Sequence, residues 1–176
     1  MLFTETDLKG SFIIDIQKIE DERGYFGRAY CRKEFMDKGL MSEMVQTNVS
    51  FNKFKGTLRG FHYQIAPHEE AKLVRCTRGS IYDVIIDLRP DSPTYMRWFG
   101  IELSEGNSKL LYVPEKFAHA FITLQDDTAV TYQVSQFYTP GAEAGIRWND
   151  PSLDVRWPRE PTVISDKDRR WPDFVK

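Results

Sequence analysis

Histidine and cysteine are scarce in this chain, with three and two among 176 residues. His62, His68 and His119 form no H-x-H or H-x-x-x-H pair, so a metal site built on paired imidazoles is not expected. Cys31 and Cys76 lie far apart, which argues against a disulfide-stapled scaffold and for reduced, structural thiols. No apolar run approaches the ~18 residues of a membrane span. No charged segment followed by an apolar run and a small-residue cleavage site is present either. The expected setting is therefore the cytoplasm, with no membrane partner. Charge of one sign is missing too: 24 Lys plus Arg stand against 26 Asp plus Glu, a net charge of −2. That balance argues against a nucleic-acid binder, whose footprint is strongly basic, and any bound anion must be held by a few placed cations. Repeats, low-complexity tracts and linkers are absent, and 41% apolar with 28% charged residues excludes disorder.

What the chain does have is aromatics, at 14% of residues, in short β-favouring runs separated by turns. Strands are predicted over Phe12–Ile16, Tyr25–Tyr30, Met44–Phe51, Thr57–Gln64, Lys72–Thr77, Ser80–Leu88, Arg97–Leu103, Leu110–Val113, Ala118–Leu124, Thr128–Gln136 and Gly145–Trp148. Turn signals such as Asp21-Glu22-Arg23-Gly24, Pro90-Asp91-Ser92-Pro93 and Gln125-Asp126-Asp127 punctuate them. One short helix is predicted over Lys33–Lys38, stopped by Gly39 as a C-terminal cap. Short strands at regular spacing indicate an all-β sandwich or barrel with a few short helices. At ~150 residues per domain, residues 1–176 make a single domain, with an N-terminal arm of about 1–30. Roughly 70% of the unfolded surface of such a chain can be buried, so no metal or disulfide is needed to hold it.

Strand parity then places side chains. Leu58, Gly60, His62 and Gln64 are predicted to share a face. If the loop from Ile65 to Glu70 closes a symmetric hairpin, Lys72 stands opposite His62 with Cβ atoms ~5 Å apart. Val130, Tyr132 and Val134 share another face, where a single tyrosine among valines reads as an inward-facing polar residue, and Tyr138 keeps the same parity. A histidine base, a tyrosine acid and a lysine cation are the parts of a proton-abstraction site beside a carbonyl. The plainer alternatives are a satisfied core or surface histidine and a solvated strand-edge lysine.

Six segments, in order, carry a resemblance: Asp21-Glu22-Arg23-Gly24-Tyr25-Phe26, Val45-Gln46-Thr47-Asn48-Val49-Ser50, Leu58-Arg59-Gly60-Phe61-His62-Tyr63-Gln64, Lys72-Leu73-Val74-Arg75-Cys76, Pro114-Glu115-Lys116-Phe117-Ala118-His119-Ala120-Phe121 and Trp148-Asn149-Asp150-Pro151. Together the chain resembles the dTDP-4-dehydrorhamnose 3,5-epimerase family of nucleotide-sugar epimerases, from about residue 3 to about residue 172. The resemblance implies a cupin-type jelly roll that forms a homodimer, holds the sugar inside the barrel and uses no metal or other cofactor. It implies inversion of carbons flanking the C4 ketone of a nucleotide-linked 4-keto-6-deoxyhexose, by way of an enolate.

Carried onto this sequence, the resemblance makes His62 the base, Tyr132 the acid across the sugar ring and Lys72 the cation beside the enolate oxygen. Asp168 becomes the carboxylate that orients the histidine; its alternative is a helix-start capping box with Ser165. Arg23 and Arg59 match phosphate-contacting positions, Gln46 and Asn48 polar contacts in the substrate pocket, and His119 a substrate binder or else a core residue. Phe26 and Tyr138 match aromatics that hold the nucleotide base, with Phe26 supplied by the partner subunit; the alternative for Phe26 is a core strand residue. Arg28 stands where type members often carry a glutamate, a change from acceptor to donor that opens CDP beside dTDP as the nucleotide. Other readings are a single-centre 3- or 5-epimerase, a 3,4-ketoisomerase and a non-catalytic sugar-binding cupin; the last would have lost His62, Lys72 or Tyr132, and all are present.

Overall fold

The computed structural model of the chain describes residues 1–174. Fourteen strands and two short helices are formed among them, in the order β1 (Leu2–Glu5), β2 (Phe12–Asp15), β3 (Ile19–Asp21), β4 (Gly24–Phe26), α1 (Arg32–Asp37), β5 (Gln46–Asn52), β6 (Thr57–Gln64), β7 (Lys72–Arg78), β8 (Ser80–Asp87), β9 (Trp98–Ser104), β10 (Lys109–Val113), β11 (Phe117–Thr123), β12 (Thr128–Val134), β13 (Glu143–Gly145), β14 (Val163–Ile164) and α2 (Asp166–Arg169). Two sheets stack face to face. One runs β1-β2-β10-β7-β12-β5 and the other β13-β6-β11-β8-β9, with β14 pairing parallel to β6. This is the all-β jelly roll expected from the alternation of short aromatic-rich runs.

Period-two alternation explains three apolar layers. Val74, Cys76, Ile81, Ile85, Leu111, Phe117, Phe121 and Val130 point inward and fill the space between the sheets. The intervening residues point outward and are covered. Leu73, Leu110 and Tyr112 pack under α1 through Phe35. Phe61, Val84, Ala118 and Ala120 pack under the C-terminal chain through Ile146, Leu153 and Trp157. Cys76 is fully buried, and burial pushes its thiol up to about 11, as suits a structural residue. Helix α1 ends as predicted: Gly39 adopts φ 69°, its N–H donates to the Met36 carbonyl at 2.9 Å, and Leu40 N–H donates to Phe35 at 3.0 Å.

In the N-terminal region β2 pairs with β10 in the chain's own sheet, and Ile14 is buried against Phe35 and Leu110. The predicted strand Tyr25–Tyr30 is shorter, and the hairpin β3–β4 pairs with neither large sheet. All six of its paired residues are exposed, including Ile19 at 70% and Phe26 at 71%. The apolar signal there was real, but the described chain does not bury it.

Candidate active site

A cavity of about 330 Å³ opens between the sheets, lined by Arg59, His62, Lys72, His119, Phe121, Tyr132 and the edge strand at Val49–Phe51. An adjoining lobe of about 130 Å³ shares His62, Lys72 and Tyr132 and adds Gln46, Asn48, Gln64, Glu70, Tyr138 and Glu143. Five predicted site residues from both sheets, Arg59, His62, Lys72, His119 and Tyr132, therefore meet at this mouth with Gln46, Asn48 and Tyr138.

Two of the geometric expectations need correction. His62 and Lys72 are not cross-strand neighbours. His62 pairs with His119 and Gly145, while Lys72 pairs with Val113 and Val134 in the other sheet. The Ile65–Ala71 loop is a corner that passes the chain from one sheet to the other, and the two side chains face each other across the sandwich. Strict parity along β6 also fails. His62 aligns with His119 but Arg59 aligns with Phe121, so Gly60 and Phe61 together oppose Ala120. This bulge leaves Phe61 outward and brings Arg59 onto the face of His62. Glycine is required at position 60, where φ is 113° and a Cβ would lie 2.5 Å from the His119 carbonyl oxygen.

Each charged group in the cavity has a partner. His62 Nε2 lies 2.6 Å from Asp168 Oδ1, and the other Asp168 oxygen accepts from Gly60 N–H at 3.4 Å. The helix-cap reading of Asp168 holds in its backbone half, because Ser165 Oγ accepts from Asp168 N–H at 3.1 Å. Both interactions coexist, since cap and carboxylate use different atoms. Burial raises the Asp168 carboxyl, but the His62 hydrogen bond and charge, with Gly60 and Ser165, outweigh it and hold the group below the ordinary carboxylate value. A depressed folded pKa contributes stability that is present above the unfolded value and lost as pH falls through the folded one. Asp168→Asn is therefore expected to cost roughly 1.5–3 kcal/mol near neutrality. The difference between the two proteins' urea midpoints should shrink once pH drops below about 4. A difference that is constant from pH 7 to pH 3 would show that the ionised carboxylate contributes nothing.

The buried Lys72 ammonium lies 3.0 Å from Glu70. Tyr132 is half-buried; desolvation and then the Glu70 charge raise its phenol, against a smaller opposing effect of Arg59, so it stays protonated. His119 Nε2 lies 2.7 Å from the buried Asp83 Oδ1. Arg59 donates from Nε to Asn52 at 2.7 Å. Gln46 donates to Asn48 at 3.0 Å on the edge strand, and Tyr138, 58% exposed, stands at the rim. Asp83 and Glu70 are absent from the sequence reading, although both were detectable. Asp83 shares the inward parity of Ile81 and Ile85, and Glu70 precedes Lys72 by two, so each is an acid on a cavity-facing position.

Arg23 and Phe26 do not reach the cavity of their own chain. Arg23 is paired to Asp21 at the exposed tip of the β3–β4 hairpin. Phe26 lines a separate groove with Met1, Gln17, Ile19 and Arg28. Arg28 is itself paired to Glu34 at 3.0 Å. Among the described residues no cluster of three or more His, Cys, Asp or Glu has metal-ligating geometry, and no helix is long and apolar enough to cross a membrane.

A jelly roll whose mouth gathers a histidine–carboxylate pair, a buried lysine and a half-buried phenol is a cupin-type acid–base enzyme. A family model described as dTDP-4-dehydrorhamnose 3,5-epimerase matches residues 5–176. The dTDP-4-dehydrorhamnose 3,5-epimerase of Methanothermobacter thermautotrophicus is 41% identical over 172 residues, covering 96% of this chain and 92% of its own. The crystal structure of the Bacillus anthracis enzyme of that name, with TDP and pyrophosphate bound, is 39% identical with a TM-score of 0.95, covering 98% of this chain and 99% of its own. The Legionella pneumophila dTDP-6-deoxy-D-glucose-3,5-epimerase, in complex with dTDP-4-keto-L-rhamnose, is 33% identical with a TM-score of 0.91, covering 98% and 92%. The chain belongs to the dTDP-4-dehydrorhamnose 3,5-epimerase family and is an isomerase.

Proposed function

We propose that the protein inverts both C3 and C5 of a dTDP-linked 4-keto-6-deoxyhexose, converting dTDP-4-dehydro-6-deoxyglucose to dTDP-4-dehydrorhamnose. The observation that carries this reading is the His62–Asp168 pair at 2.6 Å opening into the same cavity as Lys72 and Tyr132. The C4 ketone acidifies the protons on C3 and C5. His62 takes one of them, the C–H electrons move into the carbonyl to give an enolate, and Lys72 neutralises its oxygen. Tyr132 then delivers a proton to the opposite face, and the carbon is inverted. Asp168 orients the imidazole and balances the charge it gains. His119, oriented by Asp83, and Arg59, oriented by Asn52, bind the sugar and the phosphates; Gln46, Asn48 and Tyr138 line the way to the nucleotide. The chemistry needs no metal or other cofactor. The bound TDP and dTDP-sugar of the two relatives favour dTDP over CDP as the donor.

Incubation with dTDP- and CDP-4-keto-6-deoxyglucose in deuterated water tests donor and centre together. Deuterium is expected at both C3 and C5 of the dTDP sugar. Labelling at one carbon alone, preference for the CDP sugar or a product with a moved carbonyl would overturn the reading.

The chain folds as one domain and assembles as a homodimer, located in the cytoplasm. The unpartnered β3–β4 hairpin supports the dimer: it exposes Ile19, Tyr25 and Phe26, and exchange between two copies would bury them and bring Phe26 and Arg23 to the partner's nucleotide site. Symmetric dimers are also the commonest oligomers. Light scattering at micromolar concentration should give twice the 20.6 kDa of one chain. A fully active monomer would rule the exchange out.

A further inference from the structure

We propose that Trp171 is a positioning residue for His62, seated by the absence of a side chain at Gly145 and held by the Arg147–Asp173 ion pair. The inference rests on the reading of His62 as the base. The strand ladder of the C-terminal segment ends at Ile164, so the chain that carries Asp168 to the cavity is not positioned by sheet pairing beyond that point. A single turn of helix, α2, presents Asp168 to His62 Nε2, and three residues later the Trp171 ring stands edge-on to the imidazole, with centroids 6.4 Å apart and planes at 69°. Asp168 and Trp171 thus confine the same ring from two contacts one turn apart.

Gly145 is the cross-strand partner of His62. A Cβ there would fall well inside van der Waals contact with the indole, so the residue beside the base leaves room for Trp171. Among the described residues the buried indole Nε1 has no hydrogen-bond partner, and its seat is one of shape. Three polar contacts then fasten the segment. Arg147 donates from Nε and Nη2 to the two Asp173 oxygens at 2.7 and 2.9 Å, and its N–H donates to the Pro172 carbonyl at 3.0 Å. Phe174 N–H donates to the buried Asp150 carboxylate at 2.5 Å. None of Gly145, Arg147, Trp171 or Asp173 lines the cavity, and Trp171 meets it through His62 and, by way of Lys167, through Glu143 at the lobe.

The test is steady-state turnover of the full chain with dTDP-4-keto-6-deoxyglucose. Trp171→Leu is expected to lower kcat about tenfold to a hundredfold, the cost of an ångström-scale misplacement of a reacting group, with KM within threefold. Trp171→Phe, which keeps a ring, should restore kcat to within threefold of wild type. In an Asp168→Asn background, Trp171→Leu should add little further loss, because both changes release the same imidazole. Arg147→Gln, on the surface, should give a smaller kcat loss of the same kind and guards against a Trp171→Leu protein that fails to fold. Unchanged kcat in both Trp171→Leu and Arg147→Gln, an effect on KM alone, or full additivity with Asp168→Asn would overturn the proposal. A His62→Ala protein that keeps its turnover would instead overturn the base assignment on which it rests.

Discussion

His62→Ala is expected to abolish solvent exchange at both C3 and C5. Both protons are acidified by the same ketone, and no enolate forms at either carbon without the base that faces them. Loss of a general base costs about 10²–10⁴-fold. The measurement is deuterium content at each carbon after incubation of dTDP-4-keto-6-deoxyglucose in deuterated water. The substitution should leave the fold intact, because the His62 side chain is 33% exposed to the cavity and supports no apolar layer. Exchange near the wild-type rate in this variant would move the base elsewhere, with His119 and its Asp83 partner the next candidate in the same cavity.

The second large effect belongs to Tyr132. Tyr132→Phe keeps the ring volume that packs beside the inner core and removes only the hydroxyl. Proton abstraction by His62 should continue, so deuterium can enter from the same side with retained configuration. Inversion, which needs a donor on the opposite face, should slow by a further 10²-fold or so. The informative quantity is the ratio of exchange to inversion, which should rise steeply. Inversion at the wild-type rate would mean that Tyr138 or a bound water supplies the proton.

Much of the architecture was legible because period-two alternation is a local property. Eight of the predicted strands, from Met44–Phe51 to Thr128–Gln136, coincide with β5–β12 to within a residue or two. There the inward residues Val74, Ile81, Ile85 and Val130 alternate with outward ones. The Gly39 cap was equally local, since only a residue tolerant of φ 69° ends α1 that way. Short strands such as β1, β3 and β14 were missed because two to four residues carry too little pattern to distinguish from loop.

By itself the sequence determined the all-β class, the inward parity of Tyr132 and, through six motifs in order, the family and its candidate residues. Only the tertiary structure decided how those residues meet. Which sheet a strand joins depends on contacts far apart in the chain, so the corner after Gln64 made His62 and Lys72 face each other across the sandwich instead of pairing side by side. The bulge at Gly60 and Phe61, which brings Arg59 to the face of His62, arises from pairing with His119 and Phe121 some sixty residues away. The Asp168 carboxylate reaches His62 across 106 residues of sequence. Spacing along the chain carries no information about such separations; they are set by which apolar faces must be covered, and here the C-terminal chain that covers Phe61 also carries Asp168 to His62.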